Sequence, residues 1–561
     1  MRLFRSTRRA VLLIASLLSA CAAADPAAHM EGVKPASGVS GNYLAGRFAL
    51  NHGDFGEAAN ELLRALASNP NDPELLNQTF IACLNAGRTE AVSLARRMPS
   101  SQIAQMLLAN DAAKAGTWDQ AVSRFQTLPR DGVMQLLQPL LLAWAIQGSG
   151  NTQQALATLR PFFDNPRFRP LVALHAALIA DLGGQPAEAA ALFQQAESEL
   201  TDQSPRTALI LANWHARSGR QMEAERILAR MTASVPEAAI ALPGLLATVN
   251  KRPVTRAADG MAEAYSTFSA ALRTQETGDF AMVMSRLALD VRPDFVAARL
   301  LAADIQTTAK HYDSALVLLQ EAARSNDPIV PIVRLHRVQV LERAERSEEA
   351  IREVERIGRD YPDSSLPDIQ LGELLRVKRR FAESIVAYDR VINRLRQPMQ
   401  NDWPLFFSRG VAYERTGQWA RAEADLTRAL QLSPDQPSVL NYLGYAWADM
   451  GRHLEQARDM IQRAAAKRPN DGAITDSLGW VMFRQGKIAE AVKLLERAVG
   501  LEPVDATITD HLGDAYWAIG RKIEAHYQWR RALTLKPPPE DAAKLETKIK
   551  SRPFGAVASG H

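Results

Sequence analysis

Leu478-Gly479-Trp480-Val481-Met482-Phe483-Arg484-Gln485-Gly486-Lys487-Ile488-Ala489-Glu490-Ala491 recurs further along the chain as Leu512-Gly513-Asp514-Ala515-Tyr516-Trp517-Ala518-Ile519-Gly520-Arg521-Lys522-Ile523-Glu524-Ala525. Each leading Gly is followed, at the same offsets, by an Ala, a second Ala and a Pro: Gly479, Ala491, Ala498, Pro503, then Gly513, Ala525, Ala532, Pro537. Gly410, Ala422, Ala429 and Pro434 keep these offsets, and so do Gly46, Ala58, Ala65 and Pro70. The chain is a repeat array. Within one unit Leu478, Val481 and Met482 fall at helical spacing, and Gly486 supplies a left-handed stop. Ile488 to Val499 then carries Ala491, Val492, Leu494, Leu495, Ala498 and Val499 on one wide apolar face, so two antiparallel helices bury a shared stripe. Gly479 and Ala491 let the two backbones approach, Ala498 does the same for the next unit, and Pro503 ends the second helix.

This pattern, a period of about 34 residues marked by Gly, Ala and a closing Pro, resembles the tetratricopeptide (TPR) repeat. The resemblance implies an all-α fold, a TPR superhelical solenoid in which stacking covers the apolar edge each unit leaves open. Units beginning near 39, 73, 102, 136, 170, 205, 262, 296, 331, 365, 403, 437, 472 and 506 give about 13–14 helix-turn-helix repeats. The unit at 437 has one extra residue between Gly451 and Ala457. Val235 to Arg256 fits no repeat, and Pro236, Pro243, Gly244 and Pro253 interrupt helix there. The expected organisation is an N-terminal arm at 39–234, an irregular joint near 235–261, a C-terminal arm at 262–539, and a C-terminal helix with a disordered tail at 540–561.

The first residues give an expected address. Arg2, Arg5, Arg8 and Arg9 precede the apolar run Val11 to Leu18, and Leu18-Ser19-Ala20-Cys21 resembles the lipobox of bacterial lipoproteins. The run is too short to span a bilayer and reads as a cleaved export signal over 1–20. The resemblance implies that Cys21 is the lipid attachment site and, with Ala22 following it, that the protein is sorted to the periplasmic face of the outer membrane. Cleavage after Ala22-Ala23-Ala24 would instead give a soluble periplasmic protein. Residues 22 to 38 form a tether; a flexible segment of that length spans ~20–25 Å.

Without residues 1 to 20, the 66 basic and 62 acidic residues become 62 against 62, and no nucleic-acid footprint remains. Nine basic and four acidic residues lie between Arg521 and Arg552, either a solvated cap or a docking surface for an acidic partner. Cys83 sits in the apolar run Phe80 to Leu84 as a small hydrophobe. The ten His are scattered, with no His-Glu-x-x-His pair or Cys-His cluster, and Gly486-Lys487-Ile488 lacks a phosphate-loop spacing, so no catalytic residue, cofactor or metal is expected. A hydrolase hidden in the joint would have only Glu237, Thr248, Thr255 and Asp259 to work with. A non-enzymatic scaffold for proteins or extended peptides fits better.

First helices line the concave face of such an array. In the C-terminal arm the expected groove residues are Asn441, Tyr445, Asp476, Trp480, Phe483, Arg484, Asp510, Asp514 and Trp517, aromatics beside carboxylates and one Arg. Phe483 and Trp517 stand where aromatics help repeats stack. Trp480 stands where a small polar residue is usual, so an open-groove role is expected for it, and Trp480→Ala with Arg484→Ala should then leave melting nearly unchanged.

Leu440-Asn441-Tyr442-Leu443-Gly444-Tyr445, Asp476-Ser477-Leu478-Gly479-Trp480, Asp510-His511-Leu512-Gly513-Asp514-Ala515-Tyr516-Trp517 and Gln528-Trp529-Arg530-Arg531-Ala532-Leu533 resemble a family of Gram-negative TPR lipoproteins. One kind in that family is an adaptor that binds a periplasmic C-terminal-processing protease and presents peptidoglycan hydrolases to it. The resemblance covers about 437 to 535 and implies a scaffold with protease and cell-wall-hydrolase partners, touching the membrane only through its lipid. A scaffold for envelope or exopolysaccharide assembly and export is the alternative.

Overall fold

The computed structural model describes residues 38–200, 204–273 and 277–552. The export signal, Cys21, nearly all of the tether and the last nine residues lie outside the described residues. Six helical hairpins form the N-terminal arm. They are α1 (Val39–Asn51) with α2 (Phe55–Ser68), α3 (Pro73–Asn85) with α4 (Glu90–Ala95), and α5 (Gln102–Lys114) with α6 (Trp118–Gln126). Next come α7 (Met134–Gly148) with α8 (Thr152–Leu159), α9 (Arg169–Leu182) with α10 (Pro186–Glu199), and α11 (Pro205–Arg217) with α12 (Gln221–Ser234). A 3-10 turn at Pro236–Ala241 and the short α13 (Leu242–Thr248) make the joint.

Eight hairpins follow: α14 (Ala257–Ala271) with α15 (Gly278–Val291), α16 (Val296–Thr308) with α17 (Tyr312–Ala322), α18 (Val330–Arg343) with α19 (Ser347–Asp360), and α20 (Leu366–Val377) with α21 (Phe381–Arg394). Then come α22 (Trp403–Arg415) with α23 (Trp419–Leu432), α24 (Pro437–Asp449) with α25 (Leu454–Lys467), α26 (Gly472–Arg484) with α27 (Ile488–Leu501), and α28 (Ala506–Ala518) with α29 (Lys522–Thr534). A single helix, α30 (Pro539–Ser551), closes the series. The fourteen hairpins are the repeats that the sequence spacing predicts.

One packing relationship repeats. A Cβ on Gly479 would stand 2.8 Å from Leu495 Cγ; on Gly46, 2.6 Å from Leu62 Cγ; on Gly410, 3.0 Å from Leu426 Cγ; on Gly372, 2.7 Å from Tyr388 Cε1. Each partner stands at the same offset from its Gly, in the second helix of the same hairpin. Only a missing Cβ allows that approach, which is why the Gly sets the repeat. Gly444 meets Ile461 instead, one position later, because the extra residue falls in that turn, where His453 takes φ 47° before α25. Gly486 caps α26 at φ 78°.

Successive first helices α20 and α22, α24 and α26, and α26 and α28 touch one another, so first helices line the inner face. In the N-terminal arm that face is filled. Hairpin α14–α15 packs against the first helices α3, α5, α7 and α9. The Trp144 indole lies on Gly260, Asn110 Nδ2 donates to the Leu287 carbonyl at 3.2 Å, and Tyr265 Oη donates to Asn110 Oδ1 at 3.0 Å. The Lys114 ammonium meets Asp290 at 2.6 Å. The expectation that the C-terminal arm starts at 262 is corrected here: α14 begins at Ala257, and the α14–α15 hairpin packs on the inner face of the N-terminal arm. Eleven of the fifteen residues of α14 are buried, and Glu263 and Ser269 among them are partnered: Glu263 meets Arg206 and Arg292, and Ser269 meets Ser285. Next along the chain, the His311 ring bonds the Asn51 carbonyl at 3.0 Å and Ser314 Oγ donates to the Gly53 carbonyl at 2.6 Å, so α16–α17 abuts the α1–α2 turn.

Candidate partner-binding face

With its N-terminal half filled, the inner face continues along the C-terminal first helices, where α30 lies over part of it. α24 contributes Asn441, Tyr445 and Asp449, α26 contributes Asp476, Trp480, Phe483 and Arg484, and α28 contributes Asp510, His511, Asp514 and Trp517. Inward positions recur at i, i+4 because 3.6 residues make one turn.

The centre is a stack. The Trp480 ring lies parallel to His511 at 4.0 Å between centroids and to Phe483 at 5.1 Å, while Tyr445 sits 6.1 Å from His511. His511 Nδ1 meets the Asp476 carboxylate at 2.9 Å, and both residues are buried. Burial alone would depress the His511 pKa, but the Asp476 carboxylate, with Asp510 and Asp514, lifts it above the ordinary imidazole value. The His511–Asp476 contact thus lies within a buried aromatic sandwich. Burial also raises the Asp510 carboxyl, and the Tyr445 hydroxyl is pushed up by burial first and by Asp449, Asp476 and Asp510 next.

Two of the expected groove residues are therefore packing residues. Trp480 is 8% exposed and Asp476 4%, so neither stands free in an open groove; the reason is that His511 comes from the next repeat to cover them. Phe483 and Trp517 are half-buried and join adjacent hydrophobic clusters. Arg484 reaches back to the Asp449 carbonyl, with its guanidinium 6.0 Å from the Trp480 ring. Asn441 and Tyr445 are half-buried on α24. Asp510 and Asp514 both accept from Lys548 Nζ of α30 at 2.7 Å, and Arg552 adds a 3.6 Å contact to Asp514. Two residues of the basic C-terminal segment, Lys548 and Arg552, are thus turned inward onto carboxylates, while Lys522, Arg530, Lys536, Lys544 and Lys550 stay exposed.

Three participants escape a residue-by-residue reading: His511, Asp449 and Lys548. A signal for the first two was present. Asp476 to His511 and Asp449 to Arg484 are each 35 residues apart, one period plus one, the offset that joins neighbouring first helices.

The joint offers no catalytic pair. Thr255 donates its N–H and hydroxyl to Asp259 Oδ2 at 2.9 and 2.8 Å, which spends Asp259 on capping α14, and Thr248 Oγ1 donates to the Gly244 carbonyl. A cleft of about 840 Å³ opens beside it, lined by Pro236, Ile240, Pro328, Tyr361 and Leu366 among others. Among the described residues no group of His, Cys, Asp and Glu could hold a metal ion, and no helix is long and apolar enough to cross a membrane.

Residues 407–472 and 477–540 match the family model described as Tetratricopeptide repeat, so the last four hairpins are TPR units by sequence as well as geometry. A TPR repeat-containing protein of Pseudomonas aeruginosa is 31% identical over 158 residues, 28% of this chain and 26% of that one. A lipoprotein NlpI homolog of Haemophilus influenzae is 55% identical over 40 residues, 7% of this chain and 13% of that one. The chain thus spans about a quarter or less of these curated relatives. Among solved structures, a tetratricopeptide repeat protein from Parabacteroides merdae aligns at 14% identity and TM-score 0.37, over 45% of this chain and 97% of that one.

Proposed function

We propose that the protein is a non-enzymatic scaffold, lipid-anchored through Cys21 at the periplasmic face of the outer membrane, that brings a periplasmic C-terminal-processing protease together with cell-wall-hydrolase substrates. The observation that carries the scaffold reading is the C-terminal inner face: first helices converge there, and half-buried Tyr445, Phe483 and Trp517 lie near exposed Asp449 and the Asp510 and Asp514 carboxylates that Lys548 of α30 covers, a surface suited to a protein segment with apolar and basic side chains. TPR proteins bind proteins and peptides, which supports the same reading. The anchor rests on the lipobox-like Leu18-Ser19-Ala20-Cys21 and gains support from the lipoprotein named among the relatives. The N-terminal arm, filled by its own hairpin, serves as a rigid base.

The test is affinity purification of the full chain from detergent-solubilised envelopes, beside a Cys21→Ala form, with partners identified by mass spectrometry. A processing protease with peptidoglycan hydrolases, retained in the membrane fraction by the wild type only, supports the reading. Export or synthase components in their place would overturn the protease assignment and favour the envelope-assembly scaffold.

A further inference from the structure

Helix α30 closes the array with Glu540, Lys544, Glu546 and Lys550 turned to solvent, as in an ordinary polar cap, but Lys548 and Arg552 turn inward instead. Lys548 bridges Asp510 and Asp514, which sit at i, i+4 on the inward side of α28. Arg552 follows one turn later, near Asp514 and 5.5 Å from the Trp517 ring. At the other end Glu540 comes within 3.8 Å of Arg379, in the α20–α21 turn, so α30 reaches across the C-terminal inner face toward the fifth hairpin back along the chain. Its single fully buried side chain is Leu545, set in the cluster of Leu512, Tyr516 and Trp529, with Ile549 half-buried beside it. The helix is thirteen residues long, too short to hold itself in water, and only α29 packs closely along it. Such an element opens more readily than the hairpins beneath it.

We infer that α30 is a built-in occupant of a docking seat, and that the seat takes a cationic amphipathic helix of a partner protein once α30 lifts. The inference rests on the reading of this inner face as the partner-binding surface and names the chemistry of what binds. Charge complementarity commits it to a cation-bearing helix. Lifting α30 leaves Asp510 and Asp514 side by side with no cation across from them, a half-buried like-charge pair that disfavours an acidic segment. α30 itself shows the matching pattern: Lys548 and Arg552, four residues apart, meet the carboxylates beside Leu545 and Ile549, with exposed Lys544 one turn earlier.

The probe is a labelled synthetic peptide of residues 538–552, titrated by fluorescence anisotropy into the full chain. Variants are Leu545→Ala with Lys548→Ala, which loosen α30, and those two changes with Asp510→Asn and Asp514→Asn, which blank the seat. A closed seat lowers apparent affinity by the fraction open, so the loosened chain should bind the peptide about tenfold or more tighter than the wild type. Blanking the seat should abolish the gain, and a peptide with Lys544, Lys548 and Arg552 replaced by Glu should not bind. Hydrogen exchange over 539–551, faster in the loosened chain while the rest is unchanged, shows that the variant folds. Equal binding to wild-type and loosened chains, or no binding to a loosened chain whose α30 exchanges faster, overturns the inference. So does a loosened chain that pairs with itself, seen as a doubled mass by light scattering, which would give the seat to a second copy. The scaffold reading fails separately, when no protein partner crosslinks to the inner face of the intact chain.

Discussion

Gly260 of α14 lies under the indole of Trp144 of α7, so close that any Cβ at 260 would overlap the ring. The ring cannot give way. Trp144 is fully buried and its Nε1 donates to His175 Nδ1 at 3.0 Å. Gly→Ala inside a helix normally stabilises by about 1 kcal/mol. Here the sign reverses: Gly260→Ala should destabilise by about 2 kcal/mol or more through overpacking. Gly500→Ala, where a Cβ meets nothing within 4 Å, is the control and should be neutral or stabilising in urea unfolding.

His175 and His511 give the two arms opposite responses to acid. Burial holds the His175 pKa down at about 4, so the folded N-terminal arm prefers the neutral ring, and its stability is present above the ordinary imidazole pKa and lost as pH falls toward 4. Between pH 7 and 5.5 the cost is about 1 kcal/mol. The folded-state pKa of His511 is raised by Asp476, Asp510 and Asp514, with Tyr445 and Trp480 packed around the ring. Its contribution is full below the ordinary imidazole pKa and lost as pH rises through the raised value. Hydrogen exchange at pH 5.5 and 7.5 should show α7 and α9 loosening in acid and α26 and α28 tightening, and His511→Gln should remove the second response alone.

Trp480→Ala should cost stability. The indole is stacked between His511 and Phe483 and nearly excluded from water. Truncating a buried Trp typically costs about 3–5 kcal/mol, and a drop of that order in the C-terminal unfolding transition is expected. An unchanged transition would return Trp480 to an open groove.

Cys83 should be inert until the array unfolds. Burial pushes its thiol up to about 11, with Arg88 opposing, and the side chain is fully covered. In a Cys21→Ala chain, iodoacetamide at pH 8 should label Cys83 at the rate of local opening only, rising with urea at the unfolding midpoint.

The repeat was legible because a short-range spacing enforces it. Gly46 with Leu62 and Gly479 with Leu495 each lie in one hairpin, so the close approach leaves its mark at a fixed place in the period, as Gly in the first and the last five repeats and mostly as Ala between them. The filling of the N-terminal arm was not. Trp144 and Gly260 belong to different hairpins and obey no period; the available hint was α14 itself, Ala257 to Ala271, rich in Ala and Gly, with Asp259 and Glu263 as its only charged residues. For the candidate face, helical spacing placed Tyr445, Asp476 and Trp480 on inward positions. It could not tell that His511 from the next repeat would cover two of them, or that Lys548 would occupy Asp510 and Asp514, because both depend on how far successive first helices converge.

The most direct test of the scaffold reading places a photo-crosslinking residue at Asp449, exposed at the edge of the C-terminal inner face, and another at Met222, exposed on α12. Irradiated in intact envelopes, the chain should yield a protein adduct from position 449 and none from 222, and loosening α30 should increase that adduct. Adducts from 222 alone would contradict the assignment of partner binding to the C-terminal face.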